Sequence, residues 1–221
     1  MNQSGMQVAR DAGAAMLETM DMVKPKRGNE RELAKLRMEY AKEADPVGTL
    51  PDPNMGGPAA LLMDKLGERL AFERSGTRLY DALIAKCEAD ASAGLPLKDL
   101  QHIRDEEAKH FALVGAAIQS LGGDPTAQTP CADVAGVEGM GLMQVLSDPR
   151  TNVAQGLHAI LVAEMTDNVA WEELIELTMQ VGNDDLVARF SKARDEEQEH
   201  LEKVQAWYKE ATLAQLGLGG Q

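Results

Sequence analysis

Four helical segments, each with an apolar stripe broken near its middle by a glutamate, constrain this chain more than any other feature. In the first, from about Pro58 to Ala89, the inward stripe is Leu62, Leu66, Leu70, Glu73, Thr77, Tyr80 and Ile84. The second, from about Pro96 to Leu121, carries Leu100, Ile103, Glu107, His110, Val114, Ala117 and Leu121. The third lies between Pro149 and Val181 and carries Leu157, Leu161, Glu164, Asn168, Trp171, Ile175 and Thr178. The fourth follows the stop at Gly182-Asn183 with Leu186, Phe190, Ala193, Glu197, His200, Val204, Trp207 and Ala211. Gaps of three and four residues alternate in every stripe, as they do in a helix that buries one face.

The interruptions repeat. Residues 104–110 read RDEEAKH and residues 194–200 read RDEEQEH, an offset of 90; Glu73 matches Glu164, Tyr80 matches Trp171 and Leu83-Ile84 matches Leu174-Ile175 at an offset of 91. The chain therefore reads as a duplicated helical hairpin. Residues i and i+3 share a side of a helix about one turn apart, so Glu107 with His110, and Glu197 with His200, aim a carboxylate and an imidazole at one point. With Glu73 and Glu164 they amount to four carboxylates and two imidazoles inside one bundle. Each desolvated carboxylate costs on the order of several kcal/mol, and two divalent cations would balance the four charges. Helical angle alone does not separate Glu107 from Glu106, or Glu197 from Glu196, because both flank the stripe.

Composition narrows the rest. Ala, Leu, Met, Glu and Lys dominate and aromatics make up 4%, which favours helix nearly everywhere and predicts no sheet. A formal charge of −14 argues against nucleic acid or an anionic membrane as partner and attracts cations. Neither a signal peptide nor an apolar run of spanning length is visible, so the expected location is the cytoplasm. Cys87 and Cys131 form no CxxC pair, which excludes a sequence-local zinc knuckle or rubredoxin-type iron site, and a disulfide between them is not expected in a reducing compartment.

Residues 1–57 read as an arm with short helices near 6–22 and 30–43, joined to the bundle by DPVGTLPDPNMGGP, whose prolines and glycines cannot continue a helix. The bundle spans 58–214, and 215–221 is a flexible tail. Short loops make each helix pair an antiparallel hairpin, whereas the long segment between the second and third helices fits a crossover with one short helix around Val137 to Leu146.

This order of ligand types, one Glu from each of two helices and Glu-x-x-His from each of the other two, resembles the ferritin-like superfamily. In motif order the chain is similar to rubrerythrin-type and bacterioferritin-type di-iron proteins over roughly residues 58–214. The resemblance implies an all-α ferritin-like four-helix bundle with a long crossover. It implies Glu73 and Glu164 as terminal ligands, Glu107 and Glu197 as bridging carboxylates, and His110 and His200 as one imidazole per metal. It further implies Glu106 as support for His200 and Glu196 as support for His110, fixing tautomers from the opposite helix.

Such a donor set suits Fe(II) or Mn(II). Two Fe per chain is the expected cofactor, with Mn or mixed Fe/Mn as alternatives, and the expected activity is oxidation of Fe(II) with O2 or H2O2 in a ferroxidase or peroxide-scavenging role. A manganese catalase-like enzyme, a di-metal oxidase of an organic substrate, and a non-catalytic iron-storage bundle are the other readings. Without a CxxC pair, electrons would come from an external donor. Tyr80 and Trp171 lie two turns beyond their glutamates and should neighbour the metals, as redox-active or packing aromatics; Thr77 and Asn168 occupy matched positions one turn away and read as hydrogen-bonding groups or inert filler. His102 and His158 read as surface or structural, the 12 methionines as core filler, and the basic patch Lys24–Arg31 as a solvated turn. A homodimer or higher homo-oligomer is expected. Some ferritin-like proteins dock Gly/Leu C-terminal peptides into encapsulin shells; for ATLAQLGLGGQ the simpler expectation is disorder.

Overall fold

The structure, a computed structural model, describes residues 58–90 and 94–217. The arm, its linker and residues 218–221 of the tail lie outside the described residues. Five helices make up the described chain: α1 (Pro58–Ala89), α2 (Leu97–Ser120), α3 (Pro130–Ser147), α4 (Val153–Gln180) and α5 (Asp184–Ala214). No strand occurs among the described residues.

The helix ends follow from local chemistry. Asn152 caps α4 by accepting from the backbone N–H of Gln155, whose side chain accepts in turn from the N–H of Asn152, so two donors that the helix leaves unpaired are satisfied reciprocally. Asn183 does the same for α5 by accepting from Leu186 N. Gly182, between α4 and α5, takes φ 74°, a backbone conformation that costs a residue without Cβ little.

Contacts along the helices set their directions. Arg104 of α2 pairs with Asp81 of α1, Lys65 of α1 with Glu173 of α4, Arg194 of α5 with Glu172 of α4, and Glu106 of α2 with His200 of α5. Together these contacts describe four antiparallel neighbours. The inward stripe residues are buried or half-buried throughout. They gather in two apolar layers. One contains Leu62, Leu66, Val114, Trp171, Leu174 and Phe190; the other contains Leu79, Leu83, Leu100, Ile103, Leu157 and Val204. The glutamates and histidines occupy the level between the two.

The crossover differs from expectation. In place of a short helix around Val137 to Leu146, it holds an 18-residue helix from Pro130 to Ser147. Thr129 caps it, its hydroxyl oxygen accepting from Ala132 N, and Pro130 follows at the first turn, where a missing N–H costs nothing. The glycines at 136, 139 and 141 hid this helix from propensity reasoning, but packing on α1 outweighs their cost. α3 runs parallel to α1: Cys131 N donates to Asp64 Oδ1, Ala71, Ala132 and Ala135 form a small apolar seam, and Lys86 Nζ donates to the carbonyls of Asp148 and Thr151.

Cys87 and Cys131 are both free thiols. No described helix is long and apolar enough to cross a membrane.

The α1–α3 seam generates a stability test. A Cβ at Gly67 would meet Thr129, 2.6 Å from its Cγ2, whereas one at Gly136 meets nothing within 4 Å. Chemical denaturation should find Gly67→Ala destabilised by about 1–3 kcal/mol through overpacking, and Gly136→Ala stabilised by about 0.5–1 kcal/mol through helix propensity. Equal effects at the two sites would show that α3 does not pack as described.

Candidate metal centre

Each helix of the four-membered bundle sends one glutamate to the polar level. α1 supplies Glu73, α2 Glu107, α4 Glu164 and α5 Glu197, and all four are at most 2% exposed. His110 and His200 stand one turn beyond Glu107 and Glu197 and are equally buried. The six residues named from the sequence therefore lie together in the structure.

Their donor atoms fall into overlapping groups. Glu107, Glu164, Glu197 and His200 bring ligand atoms within 4.8 Å of one another, and so do Glu73, His110 and Glu197. Glu197 belongs to both groups. Glu107 joins Glu73, Asp167 and Glu197 in a third set at the same limit. Glutamates 107 and 197 thus stand between the two halves, where a carboxylate can reach two cations.

The imidazoles are oriented from outside. His110 turns Nδ1 inward, 2.6 Å from Glu197 Oε1, and its Nε2 lies 2.9 Å from Glu196 Oε2. His200 turns Nδ1 toward Glu197 Oε2 at 3.1 Å, and its Nε2 lies 3.0 Å from Glu106 Oε2. Each ring is braced by an acid on the opposite helix, leaving Nδ1 for the centre. The braces extend to the surface. Glu196 also accepts from Lys192 at 2.8 Å, and Glu106 Oε1 lies 3.3 Å from His102 Nε2. His102, read from the sequence as a surface residue, is exposed but touches this support.

The remaining residues singled out from the sequence are placed as follows. Tyr80 donates a hydrogen bond from its hydroxyl to Glu164 Oε1. Trp171 packs edge-on against the ring of His110, centroids 5.8 Å apart, and against Phe190. Thr77 and Asn168 bond backbone rather than ligand side chains: Thr77 Oγ1 donates to the carbonyl of Glu73, and Asn168 Nδ2 to those of Glu164 and Glu197. His158 is distant from the centre, beside Tyr208.

Two residues escaped the sequence reading. Arg69, 2% exposed, ion-pairs with Glu73 through Nε at 3.1 Å and with Asp167 through Nη1. Asp167 is 1% exposed. The available signal was weak: Arg69 stands one turn before Glu73, and Asp167 stands three residues after Glu164, the spacing of Glu-x-x-His. Gly76 carries a comparable signal. A Cβ there would fall on Glu107, 2.9 Å from its Cδ, so only glycine leaves that carboxylate room.

Burial sets the electrostatics. Desolvation raises the pKa of Glu73, Glu164 and Glu197 well above the usual carboxylate value of 4.5, and like charges nearby add to it. Glu107 is raised too, again chiefly by burial, although the two histidines oppose it. For His200, burial lowers the value, but Glu107 and the surrounding acids outweigh it and push it up to about 9.

These groups fit a metal better than they fit one another. Glu73 Oε2, Glu107 Oε2 and Glu164 Oε2 are buried without a hydrogen-bond partner, and His110 Nδ1 meets only the Glu197 carboxylate, itself a ligand candidate. Buried polar atoms are rarely left so, and this many in one place mark a site that expects an ion. Five carboxylates against one guanidinium leave four negative charges, which two divalent cations neutralise. Carboxylates with one imidazole per metal suit Fe(II) or Mn(II).

Comparison with known proteins places this geometry in a family. The family model described as ubiquinone biosynthesis protein COQ7 matches residues 60–216, a span that holds all six ligand candidates. No curated protein and no solved structure matches the chain.

Two outcomes follow from this geometry. Groups whose pKa is raised by folding stabilise the fold below their unfolded value and withdraw that stability as pH rises through the folded one. For the metal-free protein the stability from Glu73, Glu107, Glu164 and Glu197 is therefore lost as pH climbs above 4.5, and that from His200 as pH climbs from 6.5 through about 9. Melting curves after chelation should fall with pH across this window, and added metal should remove the slope, because ligands must shed their protons to bind it. Elemental analysis supplies the second check: Glu107→Ala, Glu197→Ala and Gly76→Ala should each fall below two metals per chain, while Glu199→Ala, on the exposed face, should not. Two metals retained in Glu107→Ala would refute the bridging assignment.

Proposed function

The chain belongs to the COQ7 family, ferritin-like di-iron carboxylate enzymes, and on that premise we propose that it is a di-iron hydroxylase acting on an apolar organic substrate, a quinone-type ring being the class the family description suggests. The observation that carries this reading is the dry cluster of six donors set between two apolar layers. Held by these six residues, two Fe(II) ions would supply electrons to dioxygen. Net hydroxylation puts one oxygen atom into a C–H bond of the substrate and releases the other as water, with two electrons and two protons from an external reductant.

The chain's own residues support that chemistry in several ways. Glu196 and Glu106 hold the two imidazoles in one orientation each. Arg69 and Tyr80 each engage one oxygen of a terminal glutamate, leaving the other free for a cation. Leu66, Trp171, Leu83 and Ile103 exclude water from both ends of the centre. The outer faces of α3 and α4 expose Val134, Val137, Met140, Val162, Met165 and Val169, apolar surface suited to a substrate of low polarity.

The finer likeness to rubrerythrin-type and bacterioferritin-type proteins draws no support from this family match. A ferroxidase or peroxide-scavenging role stays as a second reading on one observation, the net charge of −14, which concentrates Fe(II) near the protein.

One experiment separates the two. Protein loaded anaerobically with two Fe(II) per chain is exposed to O2 with a chemical reductant and a water-soluble methoxyquinone or its quinol. The hydroxylase reading expects a product heavier by one oxygen atom, labelled from 18-O dioxygen. Continued oxidation of excess Fe(II), with no labelled product, would favour the ferroxidase reading instead.

A further inference from the structure

The hairpin duplication relates the two halves of the metal centre, so residues that break the match carry information. At the offset of 91 Glu73 corresponds to Glu164, but Arg69 corresponds to Ile160 and Asp167 to Gly76. Arg69 and Asp167 are both buried, and both stand on the Glu73 side. No such pair serves Glu164, whose Oε1 accepts instead from the neutral hydroxyl of Tyr80.

Stability does not explain the pair. Burying two ions costs desolvation that apolar side chains of similar size avoid. Ile160, at the position matching Arg69, is 1% exposed in the apolar layer, so the bundle accommodates an aliphatic group at that station. Arg69 is instead held firmly from several sides. Its Nη1 ion-pairs with the Asp167 carboxylate and donates to the Asp167 carbonyl at 3.3 Å. Its guanidinium carbon lies 4.3 Å over the ring of Phe72 and 5.8 Å from that of Trp171. From there Nε reaches Glu73 Oε1 at 3.1 Å.

Asp167 fills a space its counterpart cannot. Next to Glu107 the matching residue is Gly76, and the carboxylate of Glu107 occupies the room. On the other side Asp167 brings a carboxylate oxygen within 4.8 Å of oxygens of Glu73, Glu107 and Glu197. The half-site of Glu73 and His110 thus contains a fixed positive charge against a ligand and a fixed negative charge beside three ligands. Glu164 and His200 have no guanidinium against them, and Asp167 is absent from the donor group that contains them.

A carboxylate whose charge is shared with a guanidinium offers less to a cation than one that accepts from a phenol. From this juxtaposition we infer that Arg69 and Asp167 make the two metal positions unequal: the Glu73/His110 position is the weaker and fills second, Arg69 holding its affinity down and Asp167 holding it up. The inference rests on the dinuclear reading above. Both are positioning residues, setting the charge that Glu73 presents, and neither is needed as a ligand.

The test is a binding titration of the metal-free full-length protein with Mn(II), a redox-stable stand-in for Fe(II), following free ion by electron paramagnetic resonance. Wild-type protein should bind in two resolved steps. Asp167→Asn leaves Arg69 uncompensated and should weaken the second step by about tenfold or more, while Arg69→Gln should strengthen it by a similar factor. The double variant should return toward wild type, Arg69→Lys should keep the second step weak, and Tyr80→Phe should move only the first. A pair with a merely structural role would weaken both steps in either single variant and show no rescue in the double. That result, or two equal steps in the wild-type protein, overturns the inference while leaving the dinuclear reading intact. Binding of fewer than two Mn(II) per wild-type chain overturns both. Circular dichroism of every variant separates loss of fold from loss of affinity, and if Arg69→Gln does not fold, an unweakened second step in Asp167→Asn suffices to reject the inference.

Discussion

Everything in this bundle is arranged around one electrostatic problem, five carboxylates withdrawn from water within a few ångströms of each other. Only Arg69 and the two imidazoles oppose them. In a medium of low polarity such a cluster holds its protons or takes up cations. The carboxyls are pushed upward in pKa, and several of their oxygens face inward with nothing to bond, which leaves them open to a cation. A fold with this much uncompensated polarity at its centre is built for an ion, because the apolar layers above and below it would be more stable if they met.

The four-helix arrangement lets one short motif solve that problem twice. Glu-x-x-His places an acid and a base on the same side of a helix, and antiparallel packing of α2 against α5 turns the two copies to face one another. The same packing sends the preceding acid of each motif, Glu106 or Glu196, to the histidine of the other helix. Duplication also sets limits. Where the hairpins differ, at Arg69 against Ile160 and Asp167 against Gly76, the halves become chemically unlike though their backbones correspond. An unequal charge is what would distinguish two metal positions that the duplicated backbone makes alike.

Legibility in the sequence varied with the range of the interaction. Stripes at three- and four-residue spacing made the four bundle helices readable, because a helix that buries one face must repeat its apolar positions. Glu73, Glu107, Glu164 and Glu197 stood out since a charge within such a stripe conflicts with burial. α3 was readable only in part: its cap, Thr129 followed by Pro130, is a clear start signal, but the glycines within it argue for a loop, and what sustains the helix is contact with α1 that no local pattern records. Arg69 lies beside the stripe of α1, where an exposed arginine would be unremarkable. Its burial depends on Asp167, 98 residues away.

The sequence by itself determined the helical class and the positions at which acids and imidazoles enter the bundle, because these are written in spacings shorter than a few turns of helix, and it showed the hairpin duplication because the same residues recur 90 and 91 positions apart. Tertiary structure decided which oxygens face one another, that Gly76 gives Glu107 its room, and that one half of the centre carries an ion pair the other lacks. These depend on how side chains from different helices share a single dry space. In such a space a charge is defined by its neighbours, and a linear pattern does not contain them.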